Sequence, residues 1–421
     1  MPVLSAPPHV AIVGGGFSGL YAARALGRRS VRVTLIDRQN HHLFQPLLYQ
    51  VASAALSPAD IAAPLRSIFR NAANVWVIMA KAEKIDLAGR RVVLDQGEIE
   101  YDALILATGA SHSYFGHEDW EVMAPGLKTL EDALEIRRRI LTAFEEAERT
   151  ADGAERQALL TFVVIGGGPT GVELAGALGE ISRQTIAHDF RRIDPTAAHI
   201  VLLEAGPRIL PAFPESLSRS AEQSLRRIGV EVRTGALVTR VTPDAVWIGG
   251  QQVRCRTVLW AAGVAGSPLA RSLGVPLDRA GRVLVEPDLS IPGHPEAFVA
   301  GDLAAFLHQT GEPLPGVAPV AIQQGQAAAE NARRRLSGAP TVPFRYRDKG
   351  SMATIGYAAA VAVIGRFAFS GRLAWLAWLF VHIMSLIGFR NRLSVLFQWA
   401  WATFTYQRSA RLITGSWRRR R

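Results

Sequence analysis

The sequence contains one cysteine, Cys255, among 421 residues. A disulfide framework and a C-x-x-C redox pair both need at least two thiols, so both are excluded, together with the reductases that pass electrons through a cysteine pair. Cys255 lies in the strand-like segment QQVRCRTVLW, where we expect a buried and unreactive thiol. Histidine and cysteine do not cluster as metal ligands would, and the neighbouring His41 and His42 are expected to shape a loop.

Acidic residues are absent after Asp348, whereas ten arginines follow Lys349. Nearly the whole net charge of +11 therefore lies in the last fifth of the chain. The N-terminal segment MPVLSAPPH has neither the basic region nor the apolar core of a secretory signal, so we expect the chain to stay in the cytosolic compartment.

Two glycine-rich segments repeat one design. VAIVGGGFSGLYAAR at 10–24 and FVVIGGGPTGVELAG at 162–176 each place a β-branched run, a glycine turn and an alanine-rich stretch in that order. This order predicts strand, turn and helix around a G-x-G-x-x-G loop. In such a loop the first glycine makes the tight turn, the second admits a pyrophosphate and the third lets helix and strand pack closely. The helix N-terminus then offers free N–H groups to the phosphates. Two such loops in one chain indicate two nucleotides and electron transfer between them.

An acidic residue follows each loop at the end of the next β-rich segment. VRVTLID ends at Asp37, close to the separation of about 20 residues expected for a carboxylate that binds a ribose hydroxyl. HIVLLE ends at Glu204 after a longer gap, because the second helix is expected to run on through RQTIAHDFRRIDPTAA. Glu204 could simply end a surface strand, but the order of strand, acid and turn favours a ribose ligand. A carboxylate there would repel a 2′-phosphate, so the second site should prefer NADH to NADPH.

Three further segments predict strands that end in a glycine turn: YDALILATGAS at 101–111, TVLWAAGVAGSP at 257–268 and EAFVAGDLA at 296–304. We expect the first two to lie under the first and second nucleotide, respectively. In the third, Asp302 is suited to a ribityl hydroxyl or a phosphate-bound water, although such a Gly-Asp pair alone is more often a turn. The segment at 127–149 predicts a charged amphipathic helix that only packs.

The most apolar part of the sequence is also its most basic part. RLAWLAWLFVHIMSLIGFR at 372–390 holds 17 residues between its terminal arginines, at the lower limit for a membrane span. In the segment after it, apolar side chains recur at helical spacing and form one face: Leu393, Leu396, Phe397, Ala400, Trp401 and Phe404.

Three interpretations of this tail differ in what covers its apolar side chains. It could be a hydrophobic hairpin that covers a sheet or a dimer interface. Nucleic-acid binding is disfavoured, because the arginines alternate with tryptophan and leucine and do not gather on one polar face. Membrane attachment explains the apolar and the basic character together, since arginines bind anionic lipid and tryptophans suit the headgroup interface. The tryptophans concerned are Trp375, Trp378, Trp399 and Trp401. We expect an interfacial helical hairpin, with a single span around 373–389 as the alternative.

The chain resembles the type II NADH dehydrogenases, single-subunit NADH:quinone oxidoreductases that pump no protons, within the two-dinucleotide-domain flavoprotein superfamily. The resemblance runs from His9 to about Ile413. Its more specific motifs are NHHLFQPLLYQVA at 40–52, FRRIDPTAA at 190–198, YRDKGSMATIG at 346–356 and the aromatic tail. An acidic calcium-binding insertion is absent from the sequence, as in the short bacterial form.

The resemblance implies an α/β fold with two Rossmann-like dinucleotide-binding domains, one for FAD and one for NADH, and a C-terminal helical membrane-anchoring region. The implied bounds are 9–118 and 283–340 for a discontinuous FAD-binding domain, 119–282 for the NADH-binding domain and 341–421 for the membrane-associated region.

The resemblance also implies the site residues. FAD would be bound by Gly14, Gly16, Phe17, Gly19, Asp37, Thr108, Gly109 and Asp302. NADH would be bound by Gly166, Gly168, Gly171, Glu173, Glu204 and Gly263. Glu173 would face the nicotinamide and the flavin and act as a catalytic residue that tunes the flavin and relays a proton.

The quinone motif of the family, A-Q-x-A-x-Q, corresponds here to APVAIQ at 318–323, in which Pro319 replaces the first glutamine. The implied quinone site comprises Ala318, Ala321, Gln323 and Gln324, with Gln323 as a second catalytic residue that hydrogen-bonds a quinone carbonyl. No metal is implied.

The implied reaction passes a hydride from NADH to FAD and then two electrons to a membrane quinone. The implied partners are that quinone, an anionic lipid surface and a second copy of the chain in a homodimer, with no nucleic acid, at the cytoplasmic face of the bacterial inner membrane. Two other functions share the fold: a soluble NADH-dependent flavin reductase with a protein acceptor, and an NADH-sensing flavoprotein. A sulfide:quinone oxidoreductase would need reactive cysteines, which this chain lacks.

Overall fold

The computed structural model describes residues 6–405 and 410–413. The side chain of Phe404, Arg408 and the terminal run Arg418 to Arg421 lie outside what the structure describes. In chain order the helices are α1 Phe17–Leu26, α2 Leu48–Ala52, α3 Pro58–Ile61, α4 Leu65–Ile68, α5 Leu130–Arg149, α6 Gly153–Leu159, α7 Pro169–Glu180, α8 Glu215–Arg227, α9 Ala318–Leu336, α10 Arg372–Ser385 and α11 Phe389–Thr405.

The strands, also numbered in chain order, are β1 His9–Val13, β2 Arg32–Asp37, β3 His41–Leu43, β4 Ala62–Pro64, β5 Val75–Met79, β6 Ala82–Asp86, β7 Arg91–Leu94, β8 Glu98–Glu100, β9 Ala103–Leu106, β10 Ala110–His112, β11 Thr161–Ile165, β12 His199–Leu203, β13 Val230–Arg233, β14 Val238–Thr242, β15 Ala245–Ile248, β16 Gln251–Arg254, β17 Thr257–Trp260, β18 Val264–Gly266, β19 Val283–Leu284, β20 Ser290–Ile291, β21 His294–Val299, β22 Ala304–Ala305, β23 Ser351–Gly356, β24 Ala359–Ile364 and β25 Phe367–Gly371.

The chain divides into two compact units. Unit 1 comprises Met1–Leu43, Ala62–Ser111 and Val264–Lys349, and unit 2 comprises Phe44–Ile61, His112–Gly263 and Gly350–Arg421. The chain thus starts in unit 1, passes from unit 1 into unit 2 three times and ends in unit 2. The domain bounds given above stay a prediction.

Unit 1 is built on a six-stranded sheet in the order β20-β21-β9-β1-β2-β5. Its pairings are parallel except for the one between β20 and β21. β1 and β9 are buried along their whole length and apolar apart from His9, as expected of central strands in a parallel sheet. Because parallel strands end at the same edge, the loops after β1, β2, β9 and β21 meet at the carboxyl edge of this sheet.

Unit 2 contains a second parallel sheet, in the order β13-β12-β11-β17. β11 has the place of β1, with β12 on one side and β17 on the other. The strands predicted in YDALILATGAS and TVLWAAGVAGSP are therefore present as β9 and β17, each beside the strand that leads into a glycine loop. The predicted fold with two dinucleotide-binding sheets is confirmed.

The helix after the second glycine loop is shorter than the sequence suggested. α7 ends at Glu180 and passes into one π-helical turn at Ile181–Thr185. Irregular chain and a short 3-10 turn at Pro195–Ala197 then lead to β12. The Glu148 carboxylate accepts the backbone N–H groups of Arg191, Arg192 and Ile193. The expected continuation through RQTIAHDFRRIDPTAA is wrong, because this side chain satisfies the backbone where helical hydrogen bonds would otherwise be needed.

The C-terminal part of unit 2 begins with a three-stranded antiparallel sheet, β23-β24-β25, which the sequence analysis did not predict. α10 and α11 follow as the two expected helices of the tail. Among the described residues, no helix combines the length and the apolar character needed to cross a bilayer. In the segment 373–389, α10 ends at Ser385, and Gly388, with φ +90, separates it from α11.

Two smaller expectations are confirmed. Cys255 is fully buried, and burial raises the pKa of its thiol to about 12. The helix expected at 127–149 is α5, which begins at a capping box formed by Thr129 and Asp132.

Candidate functional site

The first glycine loop connects β1 to α1, and its three motif glycines meet different constraints. Gly14 has φ +107, and a Cβ there would lie 2.3 Å from the carbonyl oxygen of Ala107. A Cβ on Gly19 would lie 1.7 Å from the carbonyl oxygen of Gly14, so helix and strand touch at this point. A Cβ on Gly16 would meet no heavy atom within 4 Å. The first and third glycines are therefore required by the fold, whereas the second leaves open space where a pyrophosphate can approach.

The Asp37 carboxylate at the end of β2 is held against this loop. Its Oδ2 accepts the backbone N–H of Gly15 at 2.5 Å, and its Oδ1 accepts that of Gln39 at 2.7 Å. On the other side, His42 Nδ1 lies 3.0 Å from the carbonyl oxygen of Gly15, and the His42 ring meets Phe17 edge to face at 5.1 Å. Burial lowers the pKa of His42 to about 4, so the imidazole is neutral. His42 shapes the loop as expected.

The remaining predicted FAD residues lie at the same edge of the unit 1 sheet. Thr108 and Gly109 follow β9, and Gly109 has φ +67. Asp302 follows β21 in a short 3-10 turn, where the backbone N–H of Gly301 donates to Gln324 Oε1 at 2.7 Å. The structure thus brings together all the unit 1 residues that the sequence assigns to FAD.

Three buried polar atoms around this edge have no partner among the described residues: Thr108 Oγ1, His42 Nε2 and Gln324 Nε2. A buried polar atom without a hydrogen bond is costly, so a ligand that supplies partners would be stabilised here. A dinucleotide offers ring, hydroxyl and phosphate groups for this purpose. The residues present therefore fit FAD.

The second glycine loop, between β11 and α7, repeats this geometry. Gly166 has φ +111, and a Cβ there would lie 2.6 Å from the carbonyl carbon of Ala261. A Cβ on Gly171 would lie 1.8 Å from the carbonyl oxygen of Gly166, while one on Gly168 would meet nothing within 4 Å. Again the middle glycine alone is left open.

Glu204 has the same position in unit 2 as Asp37 has in unit 1. Its Oε2 accepts the backbone N–H of Gly167 and its Oε1 that of Gly206, both at 2.6 Å. The two carboxylates are therefore fixed in the same way relative to their loops, which supports the same role for both. Gly263, at the end of the segment after β17, has φ +75 and packs under the ring of Phe115, since a Cβ there would lie 2.5 Å from Phe115 Cζ.

Glu173 lies in the second turn of α7. Its carboxylate accepts the backbone N–H of Thr354, yet desolvation by burial outweighs this bond and raises the pKa of Glu173 to about 8. A carboxyl group with such a pKa holds a proton at neutral pH. Because its pKa is close to the working pH, it can also release the proton at little cost, as an acid or base in catalysis must.

The quinone motif lies at the start of α9 in unit 1. Pro319 falls at the beginning of this helix, where a missing N–H costs no intrahelical hydrogen bond. Both amide atoms of Gln323 are bonded at 3.0 Å to the backbone of Arg347. Gln324 is 1% exposed and uses its Oε1 for Gly301, which leaves its Nε2 without a described partner. Gln323 therefore already uses one N–H and its oxygen for Arg347, whereas neither N–H of Gln324 has a described partner.

Unit 2 contains a cavity of about 120 Å³ that the sequence analysis did not identify. It lies between α2, α7, β23 and α10, and its polar and aromatic lining includes Tyr49, Gln50, Glu173, Glu180, Thr354, Tyr357, Trp375, Trp378 and Trp399. Tyr49 and Gln50 belong to the motif NHHLFQPLLYQVA, and Tyr357 directly follows YRDKGSMATIG. The motifs were visible in the sequence, but their meeting around Glu173 depends on the fold.

Two protein-family models match the chain. Residues 8–325 match the family model described as pyridine nucleotide-disulphide oxidoreductase, and residues 349–407 match the NDH2 C-terminal domain. The chain is 45% identical to the type II NADH:quinone oxidoreductase Ndh of Mycobacterium tuberculosis, over 96% of this chain and 90% of that protein. It is 46% identical to the type II NADH:quinone oxidoreductase NdhA of the same organism, over 93% of this chain and 86% of that protein.

The fold is also similar to a solved structure, that of NDH2 from Plasmodium falciparum in complex with NADH. The TM-score is 0.87 at 19% identity, over 96% of this chain and 99% of that one. At this identity the likeness concerns the fold alone. The family models and the two mycobacterial relatives decide the assignment: the chain belongs to the pyridine nucleotide-disulphide oxidoreductase family and, within it, to the type II NADH:quinone oxidoreductases.

Proposed function

We propose that the carboxyl edge of the unit 1 sheet holds FAD and the corresponding edge of unit 2 holds NADH, in an enzyme that oxidises NADH and reduces a membrane quinone without pumping protons. The observation that carries this assignment is the matched pair of glycine loops, each open at its second glycine and each clamped by a carboxylate, Asp37 or Glu204. When bound, FAD supplies the redox chemistry, accepting a hydride from NADH and passing two electrons on.

The protein residues bind and orient the two nucleotides. Gly14, Gly16, Gly19 and Phe17 would receive the FAD pyrophosphate at the N-terminus of α1, with Asp37 at the adenosine ribose and Thr108, Gly109 and Asp302 along the rest of the cofactor. Gly166, Gly168, Gly171 and Gly263 would bind NADH, with Glu204 at its ribose. Because the Glu204 carboxylate is fixed by two backbone N–H groups, it cannot turn away from a 2′-phosphate, which supports a preference for NADH.

Gln324 is the stronger candidate for the polar contact to the quinone within the set Ala318, Ala321, Gln323 and Gln324. Its buried Nε2 has two hydrogens without a described partner, enough for FAD and a quinone, whereas Gln323 already uses its oxygen and one N–H for Arg347. Glu173 holds the proton for the reaction, since burial keeps its carboxyl group protonated at neutral pH.

α10 and α11 would attach the enzyme to the membrane surface. α11 is joined to α3 of the same unit by polar side chains. Ser394 Oγ and Gln398 Nε2 both donate to the buried Asp60 carboxylate, at 2.8 and 2.9 Å. The predicted apolar face points outward, and Phe397 is 71% exposed. α10 presents further exposed apolar side chains, among them Leu373, Leu376, Phe380 and Met384. A helix that presents an apolar face outward suits the acyl boundary of a bilayer.

This attachment would place the enzyme beside a lipid-dissolved quinone, with the arginines of the tail at anionic headgroups. The proposal includes the cytoplasmic face of the bacterial inner membrane, a homodimer and no nucleic-acid partner, and it keeps the domain bounds 9–118 with 283–340, 119–282 and 341–421.

Anaerobic stopped-flow spectroscopy on the detergent-purified protein tests the redox assignment. Rapid bleaching of the flavin band by NADH, followed by rapid recovery with a short-chain quinone, is the expected result. Rapid bleaching with slow recovery would contradict quinone as the acceptor, and the absence of a flavin band would contradict the FAD site.

A further inference from the structure

Phe115, in the segment SYFG at 113–116, is held in a conformation that is unfavourable on two counts. Its backbone has φ +54, in the left-handed region that residues other than glycine avoid, and its side chain is 68% exposed. Among the described residues, the other large apolar side chains with positive φ, Leu210 and Leu289, are fully buried. Burial stabilises those two, whereas the exposed ring of Phe115 contributes little to the fold. Strained residues of this kind are concentrated at binding and active sites.

The two residues before Phe115 fix this segment against the end of β17. The backbone N–H of Ser113 donates to the carbonyl oxygen of Gly263 at 3.3 Å, and the Trp260 indole Nε1 donates to the carbonyl oxygen of Ser113 at 2.9 Å. The buried ring of Tyr114 packs against that of Trp260, with 5.0 Å between the ring centroids. The position of the Phe115 ring is therefore set by the backbone that leads into it.

The ring of Phe115 lies over Gly263. A Cβ on Gly263 would lie 2.5 Å from Phe115 Cζ and 2.9 Å from Cε2, so only a glycine leaves room for the outer edge of the ring. The ring also meets Trp260, with 6.3 Å between the centroids. Most of its surface stays accessible, and the structure thus presents an aromatic face beside Gly263.

Gly263 lies on the side of the second glycine loop that is away from Glu204. In the unit 2 sheet, β17 is on one side of β11, and β12, which Glu204 follows, is on the other. A Cβ on Gly166 would lie 2.6 Å from the carbonyl carbon of Ala261, so the segment after β17 adjoins the glycine loop. A dinucleotide with its adenosine ribose at Glu204 and its pyrophosphate at the glycine loop extends its other half toward β17.

An aromatic face suits that other half of the ligand. The nicotinamide group is a planar ring, and aromatic side chains pack favourably on such rings. Because the backbone fixes the ring of Phe115 before the ligand arrives, binding does not have to order this side chain.

We propose that Phe115 is a substrate-binding residue whose ring packs against the nicotinamide half of NADH and excludes water from that side of it. This deepens the NADH site proposed above and rests on it. The contacts of the adenosine half and the pyrophosphate, at Glu204 and the glycine loop, do not depend on Phe115.

Phe115→Gly separates substrate binding from folding in the holoenzyme. Glycine adopts φ +54 without strain, so we expect the flavin content and the melting temperature to stay close to those of wild type. The KM for NADH should rise about tenfold, as expected for the loss of an aromatic ring that packs on a planar base, with little change in kcat. Phe115→Tyr keeps the ring and should keep the wild-type KM, whereas Phe115→Leu should not.

ADP as a competitive inhibitor locates the contact along the ligand, because it has the adenosine and the pyrophosphate but lacks the nicotinamide half. Phe115→Gly should leave the inhibition constant of ADP unchanged, whereas Glu204→Gln should raise it. Val122→Ala, at an exposed apolar residue of the same unit, is the matched control and should behave as wild type in every measurement.

Three outcomes would overturn the proposal. The first is a wild-type KM for NADH in Phe115→Gly, and the second is an equal weakening of NADH and ADP. If Phe115→Gly does not fold, Phe115→Leu and Phe115→Tyr decide, and equal KM values in these two variants are the third. Weaker ADP inhibition in Glu204→Gln together with a wild-type KM in Phe115→Gly would reject the role of Phe115 alone. A failure of ADP to compete with NADH would reject the proposed NADH site itself.

Discussion

The indole Nε1 of Trp399 donates to the side-chain oxygen of Gln50 at 2.7 Å. This bond joins α11 to α2, and both residues line the unit 2 cavity. The helix that presents an apolar face outward therefore also forms part of the cavity wall. A movement of α11 at a membrane would therefore displace Gln50. Because Gln50 is hydrogen-bonded to Tyr49, the movement would also reach Tyr49 in the cavity wall.

Trp399→Phe should destabilise unit 2, because Gln50 Oε1 loses its donor and the smaller phenyl ring fills less of the space of the indole. An unsatisfied polar atom of this kind costs about 1 to 3 kcal/mol. Thermal unfolding in detergent measures the effect, with Phe397→Leu on the exposed face of the same helix as the control. Equal melting temperatures for wild type and Trp399→Phe would show that the bond does not stabilise the fold.

In the first loop, substitution of the second glycine should impair FAD binding, whereas substitution of the third should impair folding. Gly16→Ala adds a methyl group in open space, so the protein should fold but lose FAD. Gly19→Ala places the same group against the carbonyl oxygen of Gly14 and should destabilise the fold by about 1 to 3 kcal/mol or more. Flavin content and melting temperature of the two variants are the measurements. Full FAD occupancy in Gly16→Ala would contradict the assignment of the first loop.

Glu204→Gln should relax the preference for NADH, because it removes a fixed negative charge beside the proposed 2′-position. We expect the ratio of kcat/KM for NADPH to that for NADH to rise by about tenfold, equivalent to about 1.4 kcal/mol. Asp37→Asn is the matched variant in the first loop and should lower flavin content without changing this ratio. An unchanged ratio in Glu204→Gln would contradict the assignment of Glu204 to the ribose site.

Glu173 should make stability depend on pH in a defined direction. Its pKa in the folded protein, about 8, lies above the ordinary glutamate value of 4.5, so the folded state binds more protons than the unfolded state between these two values. The stabilisation is fully present below about pH 4.5 and is lost as pH rises to about 8. Glu173→Gln should remove this loss. We therefore expect the melting temperature of Glu173→Gln to rise relative to that of wild type between pH 5 and pH 9. A constant difference between the two melting temperatures over this range would contradict the raised pKa.

Two charges on the outward face of the tail helices should weaken membrane binding. Phe380→Glu with Phe397→Glu replaces two side chains whose burial in lipid contributes about 1.5 to 3 kcal/mol each. We expect more than about a tenfold loss of binding in co-sedimentation with vesicles of phosphatidylethanolamine and phosphatidylglycerol. Val122→Glu is the control, at an exposed apolar residue of unit 2 outside the tail. Unchanged co-sedimentation of the double variant would show that another surface contacts the lipid.

Short sequence patterns predicted those parts of the fold that are formed by one continuous segment of chain. The glycine spacing and the acids at Asp37 and Glu204 were sufficient for both loops, because each loop is built from one continuous strand, turn and helix. The end of α7 was not predictable in the same way, since it depends on Glu148, a side chain of α5 that satisfies the backbone after the π-helical turn.

The choice between Gln323 and Gln324 shows the same limit. The two residues are neighbours, and the sequence motif favoured the first. The structure distinguishes them through partners that are distant in sequence, Arg347 for one and Gly301 for the other. The cavity around Glu173 likewise combines α2, α7, β23 and α10, which no single segment of sequence reveals.

The solitary buried thiol of Cys255 makes this chain well suited to site-directed spin labelling. Burial raises the pKa of this thiol to about 12, so it stays protonated at neutral pH and does not react with methanethiosulfonate reagents. It therefore need not be replaced before labelling. A cysteine introduced on the outer face of α11 would then be the single labelled site. The accessibility of that label to oxygen and to a water-soluble nickel complex would report the depth at which the helix rests in the lipid.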